Sequence, residues 1–268
     1  RAKQKLIKLL EEQKQAIIHQ AVTGQIDVRT GKPYPTYKPS GVEWLGDVPE
    51  HWAMRRLRSL ASIKTGGRDT VDRVDDGEYP FFVRSQTVEH INSWSFDGEA
   101  VLTAGDGAGV AKVFHYTTGK FDYHQRVYKF SSFRSILGLF FYEYFRATLK
   151  FEALAGNAKS TVDSLRRPML QNFPVVVPLP QEQAAIVGHL NDASGSIDTT
   201  IARTRHGIML LREYRTRLIS DVVTGKLDVR EAAANLPDDL EEELPEDQEQ
   251  DTEEDEDPVD EQQVEDEA

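Results

Sequence analysis

Apolar residues recur at helix spacing near both ends of the chain. In the first stretch they stand at Ile7, Leu10 and Ile17, and this pattern predicts a helix that ends near Gly24. In the second, steps of three and four predict an amphipathic helix of roughly 35 to 40 residues that ends near Gly225. A helix of that length is typical of a coiled coil. The positions that we expect to bind a partner helix or subunit are Ile7, Leu10, Ile17, Ile197, Ile201, Ile208, Leu211 and Leu218.

The two helices carry copies of one sequence. Residues 7–29 (IKLLEEQKQAIIHQAVTGQIDVR) align without a gap with residues 208–230 (IMLLREYRTRLISDVVTGKLDVR), at a constant offset of 201 positions. In each copy a glycine stands where a helix can end, so each copy predicts a helix and a short extended exit. The first copy lacks the upstream part of the second, and Arg1 lies inside the helical pattern. We therefore expect a fragment or trimmed product.

The middle of the chain, residues 51–180, has a different pattern. It holds all 12 Phe and 6 of the 9 Tyr, so we expect the hydrophobic core there. A helix is predicted near 134–154, and residues 30–50, rich in Pro, Gly and Tyr, are expected to connect rather than pack. Short β-branched or aromatic runs predict strands at 79–83, 100–103, 111–116, 126–130 and 173–177.

These patterns together predict an α+β fold. One mixed α/β domain is flanked by two long helices, and an acidic tail follows. The predicted segments are a helix at 1–29, a linker at 30–50, the domain at 51–180, a second helix at 181–230 and the tail at 231–268.

Composition narrows the function classes. The chain has 268 residues, no long apolar run and no secretion signal, so we expect a cytoplasmic protein without a membrane partner. The absence of Cys excludes disulfides, thiolate zinc sites and cysteine nucleophiles. The seven His are dispersed without a metal-binding motif, and we expect neither a metal nor a cofactor.

The net charge of -13 is distributed unevenly along the chain. Residues 231–268 hold 20 of the 45 acidic residues and no Lys or Arg. Residues 1–230 carry 32 basic against 25 acidic residues, a net charge of +7, which leaves a nucleic-acid partner open. We expect the tail to be disordered. It either competes with DNA phosphates for the basic surface or only improves solubility.

Side chains that can read bases follow two predicted strands. Arg84, Ser85 and Gln86 come after YPFFV, and Arg and Gln can bind guanine and adenine through paired hydrogen bonds. The alternative is a solvated loop. The second cluster is Tyr123, His124, Gln125 and Arg126. Strand alternation predicts that His124 and Arg126 face one way and the other two the opposite way, so that about half of the cluster faces DNA. The alternative is a buried His124.

Further candidates would contact phosphates. Lys159, Ser160 and Thr161 suit a phosphate at a helix start, although Ser and Thr there can equally serve as caps. Lys64, Arg68 and Lys112 are candidates whose alternative is ordinary surface charge. The loop GDGAG at 105–109 precedes a strand-like run rather than a helix, which favours a β-turn or a close approach to DNA over a nucleotide site.

A series of motifs in this order resembles a known family. The run Pro49-Glu50-His51-Trp52 is followed by RRLRSLASIKTGG, GEYPFFVRSQ, TAGDGAGVAKVFHYTTGKFDYHQRVYKF, NAKSTVDSL and VPLPQEQAAIVGHLN. It resembles a target recognition domain of a type I restriction-modification specificity (S) subunit. The helices ending in VTGQIDVR and VTGKLDVR resemble the spacer helices of that family, and the resemblance covers about residues 1–230.

The resemblance implies a non-catalytic subunit that binds double-stranded DNA. Its spacer helices would form an antiparallel coiled coil and dock DNA methyltransferase (modification) subunits, and a nuclease-translocase (restriction) subunit would cut unmethylated DNA. Family members usually carry two recognition domains. This chain has one, and therefore resembles the C-terminal half of an S subunit or a half-subunit that dimerises. The alternatives are a stand-alone methyltransferase or nuclease, whose motifs are missing, and a coiled-coil protein adaptor.

Overall fold

The computed structural model describes residues 1–107, 110–155 and 164–234. The chain divides into two compact units, Arg1–Gly207 and Ile208–Ala268. The helices of the described residues are α1 (Ala2–Val22), α2 (Leu57–Leu60), α3 (Gly138–Leu154), α4 (Arg167–Asn172), α5 (Pro180–Val223) and α6 (Arg230–Ala234). The strands are β1 (Tyr37–Pro39), β2 (Asp47–Pro49), β3 (Ala53–Arg56), β4 (Ser62–Thr65), β5 (Tyr79–Phe82), β6 (Glu89–Ile91), β7 (Phe96–Asp97), β8 (Ala100–Ala104), β9 (Phe114–Thr117), β10 (Lys120–Tyr123), β11 (Val127–Ser131) and β12 (Pro174–Val177).

Two four-stranded sheets form the centre of the first unit. One has the strand order β6-β5-β10-β7 and the other the order β4-β11-β8-β9. In the first sheet β5 and β10 run parallel, with Phe82 opposite Tyr123. In the second sheet every pairing is antiparallel. The parallel pair matters for the site, because the carboxyl ends of two parallel strands lie at the same edge of a sheet.

Aromatic side chains of α3 build much of the core. Phe140, Phe141 and Phe145 are fully buried on this helix, which packs against β8 and β9. The ring of Phe145 lies 4.9 Å from that of Phe130 and 5.2 Å from that of Phe173, in edge-to-face contacts. Most buried apolar residues lie between 51 and 180 as expected, but Ile18, Val22 and Ile186 join the same core from outside that range.

A helix or strand lies at each predicted position of this region, but four of these elements begin later than predicted, and the strands β3, β4, β6, β7 and β10 were not predicted. Helix α3 begins at Gly138 and not at 134. The strand expected at 111–116 begins only at Phe114, because Ala111 has a positive φ of 54° and interrupts extended backbone before that point. The mixed α+β architecture is as predicted. None of the described helices is long and apolar enough to span a membrane.

The segment 30–50 differs from the expected connecting linker. Tyr34, Leu45 and Val48 are buried in the same core as α3. Trp44 stacks on Phe151, and its Nε1 donates to Glu152 Oε2 at 2.8 Å. Pro and Gly mark chain reversals there, but the apolar residues between them still pack, so the prediction of an unpacked linker is wrong.

Both copies of the repeat end their helices in the same way. Gly24 has a φ of 77° and Gly225 a φ of 71°, as the predicted glycine stops require.

In the first unit α1 lies along α5. Lys14 Nζ lies 2.7 Å from both carboxylate oxygens of Asp198, and Arg205 Nη2 lies 3.0 Å from Glu11 Oε1. The two helices run antiparallel there, because Glu11 precedes Lys14 in α1 whereas its partner Arg205 follows Asp198 in α5.

Candidate DNA interface

Four strand ends converge at one edge of the first unit. Arg68 follows β4, Arg84 follows β5, Asp106 follows β8 and Arg126 follows β10. Backbone hydrogen bonds tie these segments together: Gln125 N donates to Arg68 O at 2.8 Å, and Gly105 N donates to Arg126 O at 2.8 Å. We call this site the strand-end cluster, and its members are Arg68, Asp69, Arg84, Asp106, His124, Gln125 and Arg126.

Parallel pairing and glycines explain this convergence. Because β5 and β10 are parallel, the segments that follow them leave the same edge, and His124 N donates to Phe82 O at 2.9 Å. Gly66 approaches the carbonyl oxygens of Tyr123 and His124 so closely that a Cβ atom would overlap them. At Gly105 a Cβ atom would lie 2.7 Å from Arg126 O. Small residues at these two positions therefore let the chain segments meet.

Carboxylates hold the arginines of the cluster. Asp106 accepts from two of them, with Arg84 Nη1 at 3.5 Å from Oδ1 and Arg126 Nη1 at 3.2 Å from Oδ2. Arg68 Nε lies 3.2 Å from Oδ2 of Asp122, which is buried. Asp122 also accepts from the hydroxyls of two serines, Ser93 at 2.9 Å and Ser95 at 2.7 Å. The guanidinium groups are thus oriented before any ligand binds.

His124 is buried at the centre of the cluster. Its Nδ1 accepts from Arg126 N at 2.9 Å, and its Nε2 faces Asp69 Oδ1 at 3.7 Å. Burial lowers the pKa of His124. The positive charges of Arg84 and Arg126 lower this pKa further, while the carboxylates of Asp69 and Asp106 act in the opposite direction. Nδ1 can accept only when it is unprotonated, so the hydrogen bond and the pKa direction both indicate a neutral ring.

The predicted alternation at 123–126 is wrong. Tyr123 and His124 are both buried, whereas Gln125 and Arg126 are both exposed. The reason is that β10 ends at Tyr123 and the chain then turns, with Val127 N donating to His124 O at 3.0 Å. The ring of Tyr123 packs against Phe121, so it is not available for stacking on a base.

The residues after β5 are placed in three different environments. Arg84 is half-buried beside Asp106, and Gln86 is exposed, with its Nε2 at 3.4 Å from Phe114 O. The Ser85 hydroxyl donates to Thr87 O at 3.0 Å, and Ser85 O accepts from His115 Nε2 at 3.0 Å. Burial lowers the pKa of His115. Ser85 is therefore engaged within the loop, while Arg84 and Gln86 keep donors for a ligand.

The other predicted residues lie apart from these contacts. Lys64 is exposed on β4, opposite Lys129 of β11, and Lys112 is exposed just before β9. Lys159, Ser160 and Thr161 lie outside the described residues. In the described part of the chain no group of three His, Asp or Glu side chains could hold a metal ion.

Sequence reasoning missed the carboxylates of the site. Asp69 accepts from Gln125 Nε2 at 2.7 Å, and Asp106 accepts from both arginines. Each acid lies within four residues of the end of a strand, in a segment that contains glycine: GGRD after β4 and GD after β8. That signal was available, but the partners of each acid are distant in sequence.

Comparison with known proteins identifies a family for this region. The family model of the type I restriction modification DNA specificity domain matches residues 49–204. The type I restriction enzyme EcoDI specificity subunit of Escherichia coli is 32% identical over 182 residues, which are 68% of this chain and 40% of that protein. The chain therefore spans less than half the length of this curated relative.

Two solved structures have a similar fold. The S subunit of a type I restriction-modification system from M. genitalium matches with a TM-score of 0.55 and 12% identity, over 80% of this chain and 54% of that one. A chain from a study of complex assembly and conformational transition in the type I R-M system matches with a TM-score of 0.56 and 15% identity, over 82% of this chain and 55% of that one. At these identities the likeness concerns the fold alone.

Proposed function

Because this chain belongs to the family of type I restriction-modification DNA specificity domains, we propose that it reads one half of a split target in double-stranded DNA. The observation that carries this proposal is the strand-end cluster. It lies inside the matched range and displays Arg84, Gln125 and Arg126 after the ends of β5 and β10, two parallel neighbours in one sheet. Such strand ends hold side chains rigidly, and Arg and Gln are the residue types that discriminate guanine and adenine.

The remaining charged residues suit backbone contacts. We assign base reading to Arg84, Gln86, Gln125 and Arg126, of which Arg84 is half-buried and the other three are exposed. Phosphate contacts fix orientation without reading sequence. We assign them to Lys64, Arg68, Lys112, Lys159, Ser160 and Thr161.

The flanking helices would set the position of the domain. We propose that segments 1–29 and 181–230 form an antiparallel coiled-coil spacer around the domain at 51–180. The ion pairs of Lys14 with Asp198 and of Glu11 with Arg205 support this pairing. Leu211 and Leu218 of α5 are exposed, as expected of residues that bind another subunit. The tail at 231–268 falls almost wholly outside the described residues, and its role stays a prediction.

The chain would act through its partners in the cytoplasm. In this proposal it has no catalysis of its own and directs DNA methyltransferase and nuclease-translocase subunits to the target. The alternatives of a stand-alone nucleic-acid enzyme and of a coiled-coil protein adaptor gain no support from the family match.

Methyl transfer from S-adenosylmethionine to DNA tests this function. The chain is assayed alone and with the methyltransferase subunit encoded beside it, and the methylated positions are mapped by sequencing. Methylation at a split motif only when both proteins are present would support a specificity subunit. Methylation by the chain alone would overturn the proposal.

A further inference from the structure

Asp106 is shared by two arginines that come from different strands. Arg84 follows β5 and Arg126 follows β10, and each guanidinium reaches a different oxygen of the carboxylate, at 3.5 and 3.2 Å. Within the described residues neither arginine forms another ion pair. Asp106 therefore decides how the two guanidinium groups lie relative to each other.

The backbone around Asp106 fixes the position of its carboxylate. Gly105 N donates to Arg126 O at 2.8 Å, and Leu165 N donates to Gly105 O at 2.7 Å. A Cβ atom at Gly105 would lie 3.0 Å from the ring of Tyr128, so the loop packs directly against the start of β11. At Gly107 the φ of 75° turns the chain away, and a Cβ atom there would lie 3.8 Å from Arg84 Nη1. Asp106 thus stands on a rigid base between both partners.

Each arginine keeps part of its donor set for a ligand. Both contact Asp106 through Nη1, and the side chain of Arg126 is 50% exposed while that of Arg84 is 23% exposed. A guanidinium is a planar fork that donates two parallel bonds to O6 and N7 of guanine. Arg84 Nε is buried and has no hydrogen-bond partner among the described residues, so Arg84 can offer a ligand only its terminal NH2 groups. Because Asp106 holds one terminal NH2 group of each arginine, it orients the remaining terminal donors for a base edge.

We propose that Asp106 is a positioning residue, which presents Arg84 and Arg126 side by side to guanine bases in the major groove. This inference rests on the proposed DNA-reading function and names the bases that the cluster takes. Asp106 also adds a negative charge beside the DNA. It therefore weakens binding to sequences that offer the arginines no guanine, since those sites are held mainly through phosphates.

The test compares Asp106→Asn with Asp76→Asn in the full chain, bound to its methyltransferase subunit. Asp76 is exposed, and its side chain forms no ion pair or hydrogen bond with other described residues, so it controls for the change in charge. DNA affinity is measured on the mapped target, on a scrambled sequence and on targets with 7-deazaguanine, which lacks the N7 acceptor. Asp106→Asn should lose about tenfold in discrimination at the guanine positions and bind scrambled DNA more tightly. Asp76→Asn should keep full discrimination.

A second variant keeps the proposal testable if Asp106→Asn folds poorly. Arg126→Lys retains the charge but not the fork, so it should lose guanine discrimination while its binding to scrambled DNA stays unchanged. The proposal is overturned if either variant keeps the guanine preference. It is equally overturned if both variants lose affinity for matched and for scrambled DNA by the same factor. It is also overturned if 7-deazaguanine has no effect in the wild-type complex. A wild-type complex that methylates no defined motif would instead refute the proposed function itself.

Discussion

Residues 7–29 and 208–230 share a sequence pattern and a local backbone conformation, yet their surroundings are opposite. Ile18 is 1% exposed and its counterpart Ile219 is 53% exposed. Val22 is completely buried, whereas Val223 is 80% exposed. The first copy packs against α3 and the segment 30–50, while no such cover lies over the second copy among the residues described for its unit.

The turn after each helix is built by the copied residues themselves. Gln25 N donates to Gln20 O at 2.9 Å, and Lys226 N donates to Asp221 O at 2.8 Å. In the first exit Arg29 Nε lies 2.8 Å from Asp27 Oδ1, and in the second Arg230 forms the same pair with Asp228 at 3.0 Å. These contacts are local, so the same residues produce them with or without a neighbour.

The neighbours of the first copy decide what its exit contacts beyond these local bonds. Arg29 Nη2 also reaches Glu182 Oε1 at 3.0 Å, and His51 Nε2 donates to Glu182 Oε2 at 2.9 Å. Glu182 is buried, and it joins the exit to the start of α5. The repeated residues therefore determine where each helix ends, and the surrounding packing determines how much that end contributes to the stability of the fold.

The largest difference is expected between Gly24→Ala and Gly225→Ala. At Gly24 a Cβ atom would lie 2.6 Å from Pro49 Cγ and 2.9 Å from Trp52, whereas at Gly225 nothing lies within 4 Å. Both changes strain a positive φ, but only the first also overlaps a rigid ring. We expect Gly24→Ala to lower the free energy of unfolding by about 3–5 kcal/mol and Gly225→Ala by about 1 kcal/mol.

Urea denaturation followed by far-UV circular dichroism measures this effect. Helical residues of both units contribute to that signal, so it reports a loss in either one. Equal losses for the two glycine variants would contradict the contrast.

Truncating one buried isoleucine should give the next largest effect. Ile18→Ala removes a fully buried side chain and should cost about 2–4 kcal/mol. Ile219→Ala, at the equivalent exposed position, should change stability by less than about 0.5 kcal/mol. Thermal unfolding of the two variants gives the comparison. A loss for Ile219→Ala as large as that for Ile18→Ala would show that the second copy is covered in solution.

The exit arginines provide a smaller contrast. Arg29→Ala removes one donor from the buried Glu182, which keeps His51 and the backbone N–H of Leu179, and should cost about 1–2 kcal/mol. The side chain of Arg29 is half exposed, so solvent screening keeps the cost below that of a fully buried pair. Arg230→Ala should leave the unfolding midpoint unchanged. If Glu182→Gln abolished the difference between the two arginine variants, the assignment to Glu182 would be supported, and an undiminished difference would exclude it.

The copies also differ at one titrating position. His19 contacts the ring of Phe151, and burial together with the charge of Lys150 lowers the pKa of this histidine. Its counterpart is Ser220. Because the folded pKa lies below the unfolded value, the unfolded chain binds more protons, and stability falls as the pH drops below about 7. His19→Gln should weaken this decline between pH 7 and 5, and Ser220→Ala should leave the decline unchanged.

The smallest effect on stability is expected at Leu218. Leu218→Glu changes an exposed side chain and should not move the unfolding midpoint of the first unit. If the second copy binds another subunit, the same variant should reduce co-purification with the methyltransferase subunit severalfold. Met209→Lys, at another exposed position of α5, measures the effect of a charge elsewhere on the helix. Unchanged assembly for Leu218→Glu would remove this position from the proposed partner surface.

Much of the fold could be predicted because its signals are local. The offset repeat, both glycine stops and the five predicted strands depend on residues close together in the chain, whereas no local pattern predicted β10, which precedes His124 and Arg126. The turn after Tyr123 carried no Gly or Pro, so the sequence predicted alternation where the structure has two buried and then two exposed residues. In the same way, the Pro-rich segment 30–50 marked turns correctly but concealed that Tyr34 and Val48 pack in the core.

By itself the sequence determined the helix ends, the repeat, the aromatic domain and the residue types that could read DNA. Only the tertiary structure decided that Arg84 and Arg126 meet at Asp106, 22 and 20 positions away in the chain. The physical reason is that the parallel pairing of β5 with β10 and the close approach at Gly105 are long-range contacts, which no local pattern encodes. The same reason explains why one copy of the repeat is buried and the other exposed, since burial depends on the neighbour as well as on the residue.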